Sequence, residues 1–210
     1  MKLYKLTDEN GYTRAGEENA LKWAVGVTHS VTGVGVQLCS ADVIHAYTDP
    51  VLAVLMNPAH ANIKKPLLWE CEGDVAATDG CKVGVKKLSI TSPHPVPDVS
   101  TETRIRFGIA CAWLVTRSVK WREWAANWVS GKDRSEKTAR AAAADAYADA
   151  YAAADAYAAY AADAYADAYA AYAAAYAAAY AAPSQQEALI TRALAWAQTT
   201  EGLDTLGELE

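Results

Sequence analysis

The chain has 210 residues, 52% of them hydrophobic, a size that suits one or two small globular units. Residues 1–138 hold 17 Lys and Arg against 15 Asp and Glu, whereas residues 139–210 hold 2 against 10, so the net charge of −6 comes from the C-terminal part. Because Lys and Arg drive phosphate binding, this balance excludes nucleic acid as the partner of the C-terminal part and favours a basic or protein surface.

The chain carries no strong targeting, membrane or metal signal. The N-terminus is not followed by an apolar run of signal-peptide length, and uncharged apolar segments reach membrane-spanning length only marginally. The four cysteines stand far apart without a Cys-x-x-Cys pair, which indicates reduced, buried thiols, and the histidines lack i, i+4 metal spacing. We expect a cytoplasmic protein with no membrane partner, no metal and no cofactor.

Residues 1–130 predict a small mixed domain with antiparallel strands and helices, an α+β fold. Turn signals at Glu9–Gly11 and Thr32–Gly33 separate strand-like segments. Helical spacing at Ala41–Met56 is broken at Asp49-Pro50 and ended by Asn57-Pro58. The predicted strands are Lys2–Thr7, Val25–His29, Val34–Cys39, Leu67–Cys71 and Lys82–Ile90.

A helix with several tryptophans should close this domain. The prolines at 93–97 predict an extended connector, after which Ser100 or Thr101 can cap a helix that runs to about Val129. Its tryptophans recur at i, i+3 and i+7, a pattern that indicates packing rather than a ligand cage.

Two further helical regions follow. After a break at 130–133, Asp133 with Glu136 resembles a capping box, and Ser184 with Glu187 forms a second one. Residues 131–182 are therefore predicted as a long Ala/Tyr/Asp helix, and residues 183–210 as a short amphipathic C-terminal helix and tail.

Residues 139–182 contain 29 Ala, 9 Tyr, 5 Asp and one Arg, without Gly, Pro or a β-branched residue. Alanine has the highest helix propensity, and the other residues cost only about 0.5–0.7 kcal/mol each relative to it. We predict one uninterrupted helix of roughly 66 Å. The string DAYADAY at 145–151 and 163–169 presents the same helical face twice.

The tract has two opposed faces when its residues are placed at about 100° per residue. Asp155, Tyr157 and Tyr160 leave the common phase, although there too the acid lies opposite the rings. The predicted interaction residues are the tyrosines of one arc and the aspartates opposite them: Tyr147, Tyr151, Tyr165, Tyr169, Tyr172, Tyr176, Tyr180, Asp145, Asp149, Asp163 and Asp167.

This tyrosine face should be covered. Seven rings burying roughly 150 Å² each are worth on the order of 25 kcal/mol gross. One cover is intramolecular, by residues 1–138 and by the helix after Pro183. The other is a second copy of the chain, which we favour because alanines beside the rings allow helix axes to approach within about 8 Å. The apolar face of the last helix comprises Leu189, Ile190, Ala193, Leu194, Trp196 and Ala197.

Residues 1–138 match no strong catalytic signature, and we predict no enzyme. Gly33-Val34-Gly35 lacks the third glycine of a dinucleotide loop. A few polar residues, together with Trp69, could border a nucleotide-sized pocket. The segment around His60 equally suits a turn. These candidate pocket residues are His29, His60, Glu70 and Arg104.

The segments described so far resemble a group of uncharacterised bacteriophage proteins that join an N-terminal domain of unknown function to low-complexity, alanine-rich helical tails. The resemblance covers residues 1–130, and the tail matches in composition only. It is carried by Lys2–Thr7, Trp23–Gly26, Leu38–Ser40, Asn57–Ala61, Leu68–Glu70 and Arg104–Cys111.

The resemblance implies a phage origin and action in the cytoplasm of an infected bacterium. Small phage accessory proteins often disable a host enzyme or defence by binding it. We therefore expect a non-enzymatic accessory protein that forms homo-oligomers through its Ala/Tyr helix and binds and inhibits a host protein, such as an anti-phage defence component. Two other hypotheses are a nucleotide-binding or enzymatic N-terminal domain with the helix as scaffold, and a virion structural component.

Overall fold

The computed structural model describes residues 1–116, 118–147, 157–159, 161–162 and 166–207. The chain forms two compact units, Met1–Asp98 and Val99–Glu210. The first contains antiparallel sheets and a helix, and the second is helical, so the predicted α+β class is confirmed at this level. The sequence placed the first boundary at residue 130, whereas the structure places it at 98/99, because the tryptophan-bearing helices pack with the helices that follow them.

The first unit is built from short antiparallel strands. In chain order they are β1 Lys2–Thr7, β2 Tyr12–Thr13, β3 Leu21–Lys22, β4 Thr28–Ser30, β5 Ile44–Ala46, β6 Leu67–Glu72, β7 Val75–Thr78, β8 Val83–Val85 and β9 Lys87–His94. One sheet has the order β1-β6-β9-β4, a second has the order β5-β8-β7, and β2 pairs with β3. A bridge between Tyr4 and Tyr47 links β1 to the residue after β5.

Alternation along β1 places Leu3, Lys5 and Thr7 on one buried face, with Leu3 opposite Cys71 of β6. Cys39 is exposed, whereas Cys71, Cys81 and Cys111 are buried, so the expectation of buried thiols holds for these three. The core of this unit comprises Leu3, Trp23, Ile44, Ala46, Cys71, Val83, Val85, Leu88 and Ile90.

The predicted strands of the first unit are confirmed only in part. Lys2–Thr7 forms β1, and Leu67–Cys71 lies within β6. Lys82–Ile90 splits between β8 and β9, and of Val25–His29 only the last two residues join a strand, β4. The predicted and observed strand bounds differ where the pairing depends on a strand that is distant in the sequence.

The segment Val34–Cys39 forms a loop, and its prediction as a strand is wrong. The Lys86 ammonium donates to the carbonyl oxygens of Gly33 at 2.7 Å and Asp42 at 2.8 Å, and also to that of Gly35. These contacts occupy backbone acceptors that a strand would present to a neighbour. The Lys86 ammonium therefore stabilises a loop where the sequence predicted a strand.

Helix α1 (Pro50–His60) begins at the predicted break at Asp49-Pro50, whereas the segment before the break, which was predicted as helical, contains strand β5 instead. Asp49 is the N-cap, and its carboxylate accepts from the amides of Val51 at 2.7 Å and Leu52 at 3.0 Å. Proline suits the first turn because its missing N–H is not needed there. The helix then continues through Pro58, so the prediction of its end was also wrong.

The second unit is a group of helices around one central helix. The helices with bounds among the described residues are α2 Thr101–Trp113, α3 Val119–Val129, α4 Glu136–Tyr147, α5 Ala166–Tyr180 and α6 Gln186–Ala197, followed by a 3₁₀ turn at Leu203–Thr205. Helix α2 packs against α3, α5 and α6, and α3 packs against α4. Every residue of α2 from Ile105 to Ala112 is buried, which identifies α2 as the central helix.

The single helix predicted up to Val129 is two helices. Ser100 caps α2 as predicted, since its hydroxyl accepts from the amide of Thr103 at 3.0 Å. A second cap that the sequence reading missed starts α3, where the Ser118 hydroxyl accepts from the amide of Trp121 at 3.2 Å. This cap starts a separate helix after the end of α2.

Neither predicted capping box forms. Asp133 accepts from the amide of Ser135, and the Ser135 hydroxyl accepts from the amide of Thr138, so the serine takes the capping position of α4. Helix α6 begins after Gln185 without a side-chain cap. The predicted apolar face of α6 is confirmed by burial of all its members: Leu189, Ile190, Ala193, Leu194, Trp196 and Ala197.

Candidate interaction surface

Four tyrosines of the second unit form a connected set of rings, called here the tyrosine ridge: Tyr157, Tyr169, Tyr172 and Tyr176. The last three recur at i, i+3 and i+7 on α5 and therefore share one face. The ring centroid of Tyr157 lies 5.8 Å from that of Tyr169, 5.6 Å from that of Tyr172 and 5.0 Å from that of Tyr176. Ring pairs at such distances contribute about 0.5–1.5 kcal/mol each beyond their buried area.

The position of Tyr157 contradicts one straight helix from Ala139 to Ala182. On a straight helix the Cα atoms of Tyr157 and Tyr176 would be about 28 Å apart, far beyond the reach of two side chains. Tyr157 instead lies beside α5. Helix propensity amounts to a few tenths of a kcal/mol per residue, so tertiary packing of several rings outweighs it.

Helix α5 buries its alanines and leaves two of its tyrosine rings partly exposed. Its alanines at 173, 174, 177 and 178 are buried, and α5 packs against α2. Tyr172 and Tyr176, in contrast, keep 38% and 39% of their surface exposed. Alanine permits the close approach of two helices, so the small residues face the neighbouring helix and the rings remain outside.

The remaining predicted interaction residues divide into two groups. Asp145 is exposed on α4. Tyr151, Tyr165, Asp149 and Asp163 lie outside the described residues, as do the side chains of Tyr147, Tyr180 and Asp167. The sequence reading left Tyr157 out because it departs from the common helical phase, and that departure was the available signal that its ring meets the others differently.

The predicted pocket residues have separate surroundings. The His29 ring donates from Nε2 to the Lys22 carbonyl oxygen, 2.8 Å away, and meets Trp23 edge-on. Glu70 forms an ion pair with Lys2 at 2.7 Å, and this hydrogen bond holds the pKa of the carboxyl below its usual value. Arg104 lies on α2 in the second unit.

His60 belongs to a partly buried polar cluster that the sequence did not predict. Its Nδ1 lies 3.2 Å from the Tyr47 hydroxyl, and its Nε2 lies 3.5 Å from the Lys82 ammonium, which pairs with Asp79 at 3.4 Å. Burial, and then the charge of Lys82, lowers the pKa of His60 to about 4. The imidazole is therefore neutral at pH 7, bonded on both ring nitrogens and held in a fixed orientation.

A second buried pair adjoins β1. The Lys5 ammonium donates to the His45 carbonyl at 2.6 Å, and burial lowers the pKa of Lys5 to about 8. Burial, and then the charge of Lys5, lowers the pKa of His45 to about 4. Its Nε2 accepts from the Cys39 amide at 3.0 Å, so this histidine holds the end of the loop that Lys86 also binds.

Comparison of the chain with protein-family models, with curated proteins and with solved structures finds no match. Within the described ranges, no helix has the length and apolar character needed to cross a bilayer. The same residues contain no group of three or more His, Cys, Asp or Glu side chains that could hold a metal ion. Function is therefore inferred from this chain's own side chains.

Proposed function

We propose that this chain is a non-enzymatic interaction protein that self-associates through the tyrosine ridge. The observation that carries the proposal is the partial exposure of Tyr172 and Tyr176 at the outside of an ordered stack of rings. Tyrosine is enriched at protein interfaces because it buries a large apolar body while its hydroxyl can bond to a partner or to water.

A second copy of this chain is the partner that the tyrosine ridge favours. The rings already pack on one another at 5.0–5.8 Å, so a two-fold related ridge offers the same ring-to-ring contact. The two exposed rings each have a surface of about 150–250 Å², most of which is already covered within the chain. The area they can still bury is far less than the roughly 800 Å² that each partner buries in a tight interface. We therefore expect reversible association at tens to hundreds of micromolar.

The biological target is proposed from the resemblance and the charge distribution. Residues 1–130 resemble phage proteins, and the C-terminal part is acidic, so a host protein with a basic surface is the partner we propose for the assembled form. Binding of such a partner would inhibit it by covering its surface, without chemistry.

Light scattering after gel filtration tests the self-association. The parent should show a mass that rises with concentration, and the double variant Tyr172→Ser/Tyr176→Ser should remain monomeric because it loses both exposed rings. Tyr12→Ser is the matched control, since Tyr12 is 37% exposed but lies in the first unit. A parent that stays monomeric up to about 300 μM, or a control variant that dissociates equally, would contradict the proposal.

A further inference from the structure

Strand β4 leaves an open edge on the four-stranded sheet of the first unit. It is the last strand in the order β1-β6-β9-β4, and among the described strands it pairs only with β9. At the opposite edge, Tyr4 of β1 exchanges backbone hydrogen bonds of 2.8 and 2.9 Å with Tyr47. Strand β4 has no register shift and contains no Pro, Asp, Glu, Lys or Arg, whereas β7 has a register shift between Val75 and Ala77. Edges without such protective features are templates for the addition of a further strand.

The pairing with β9 determines which backbone groups of β4 point outward. The amide of Val31 donates to the carbonyl of Lys86 at 2.9 Å, and the carbonyl of Val27 accepts from the amide of Ile90 at 3.0 Å. The odd-numbered residues of this segment therefore bond to β9. In an antiparallel pair, the residues between them direct their amide and carbonyl groups away from the partner strand.

Thr28 and Ser30 are these intervening residues. The Thr28 hydroxyl lies 2.8 Å from that of Ser89 on β9, a closeness typical of opposed residues whose backbones do not bond to each other. Both residues are exposed, and within residues 1–98, all of which the structure describes, their amides and carbonyls bond to no other part of the chain. Two donors and two acceptors, spaced about 7 Å apart along the edge, are therefore free to bind an extended backbone.

The residues around β4 indicate the side chains that such a backbone should carry. Lys87 lies opposite Ser30 on β9, is exposed and forms no ion pair with the described residues. A strand added to β4 would lie two strand spacings, about 9.6 Å, from β9, a distance that a lysine and a glutamate side chain can span together. Exposed valines precede and follow β4, since Val25 keeps 58% of its surface exposed and Val34 is fully exposed. The edge therefore favours a segment with one acidic residue and apolar ends.

A flexible segment suits this edge better than a second folded copy of the chain. Before β4 the chain turns, because the Val27 amide donates to the Ala24 carbonyl at 2.9 Å. After β4 the Lys86 ammonium holds a loop at the Gly33 carbonyl. Two rigid copies could therefore pair over only the three residues of β4, whereas a flexible segment can follow both bends.

We propose that the β4 edge binds an extended segment of a partner protein by strand addition. The amides of Thr28 and Ser30 donate to the segment's carbonyls, and their carbonyls accept from its amides. An acidic side chain of the segment pairs with Lys87, and its apolar residues cover the exposed valines at 25 and 34. This site does not depend on self-association through the tyrosine ridge.

Fluorescence anisotropy with the whole chain tests the proposal. The probe is a short labelled peptide of alternating threonine and valine with one central glutamate. The control peptide has the same sequence but is N-methylated at its central residues, so neither of its edges can pair. We expect a Kd of about 10–100 μM for the probe and at least about tenfold weaker binding of the methylated peptide. The ridge variant Tyr172→Ser/Tyr176→Ser should bind the probe as the parent does.

Two matched substitutions at one position test the edge itself. Ser30→Pro removes an outward N–H without removing a bond to β9, and proline is tolerated on edge strands, so it should weaken binding about tenfold or more. Ser30→Thr keeps that N–H and should bind like the parent. Lys87→Gln should abolish the preference for the glutamate probe over its glutamine analogue. Circular dichroism confirms that each variant is folded.

Amide hydrogen exchange followed by NMR tests the site without any substitution. The amides of Thr28 and Ser30 should exchange rapidly in the free protein and slowly in the saturated complex, whereas the Val31 amide should be protected in both. Four results would overturn the proposal. These are equal binding of the methylated peptide, unchanged exchange at both edge amides in the complex, no binding up to about 1 mM peptide, and protection that rises with protein concentration alone. The last result would identify a second copy as the occupant of the edge.

Discussion

At the scale of single residues, the first unit keeps two histidines neutral by burial beside cations. His60 is bonded at both ring nitrogens, by Tyr47 and by Lys82, and His45 lies near the Lys5 ammonium. Protonating either ring would place a charge beside an existing cation in a poorly hydrated site, which is the physical cause of both lowered pKa values.

This arrangement predicts acid sensitivity of the first unit. The folded pKa of each histidine is about 4, whereas an unfolded histidine titrates near 6.5, so between these values the unfolded chain binds more protons. The contribution of the neutral rings to stability is complete above about pH 6.5 and is lost as the pH falls towards 4. Thermal unfolding between pH 7 and 4 should show a falling Tm.

A substitution isolates the contribution of one ring to that acid sensitivity. His60→Gln should flatten the dependence of Tm on pH because glutamine does not titrate, even if its Tm at pH 7 is lower. His29→Gln retains both buried histidines and should keep the slope of the parent. If the slopes of all three proteins coincided, the buried imidazoles would not be the acid-sensitive groups.

At the scale of elements, α5 depends on the small size of its buried face. Ala177 is fully buried on a helix that packs against α2, whereas Ala179 on the same helix is exposed. Ala177→Leu should lower the free energy of unfolding by about 1–3 kcal/mol, because added methylenes force packed helices apart. Ala179→Leu should change it by less than about 0.5 kcal/mol, since surface substitutions are mostly neutral.

Urea unfolding followed by circular dichroism measures both α5 variants. The comparison controls for helix propensity, because leucine replaces alanine in the same helix in each case. Equal stability of the two variants would mean that the alanine face is not packed as described. That outcome would also remove the reason for placing the tyrosine rings on the outside.

At the scale of the whole molecule, local features could be predicted and distant contacts could not. Strand β1 and the Ser100 cap depend on neighbours within a few residues, and both were found where the sequence indicated. The Lys86 contacts with the loop at 33–42 join residues more than 40 positions apart. The position of Tyr157 likewise depends on rings up to 19 residues away, which helical phase alone does not reveal.

Arg106 shows the same dependence on distant contacts, because it joins the central helix to the end of the chain. Its guanidinium lies 3.9 Å from the Trp196 ring and donates at 2.7 Å to the carbonyl of Glu201, 95 residues away. Burial lowers its pKa, and its Nε has no acceptor, so the charge is costly where it lies. Stacking over Trp196, rather than ion pairing, should therefore be its main stabilising contact.

Two substitutions of Arg106 separate these contributions. Arg106→Ala should lower the free energy of unfolding by about 2–4 kcal/mol, because it removes the stacked group and leaves a cavity beside Trp196. Arg106→Met keeps most of the packing volume and removes the buried charge, so its cost should stay below about 1.5 kcal/mol. Urea unfolding monitored at 222 nm compares the two. A methionine variant as unstable as the alanine variant would show that the hydrogen bond to Glu201, and not the stack, holds the C-terminal segment.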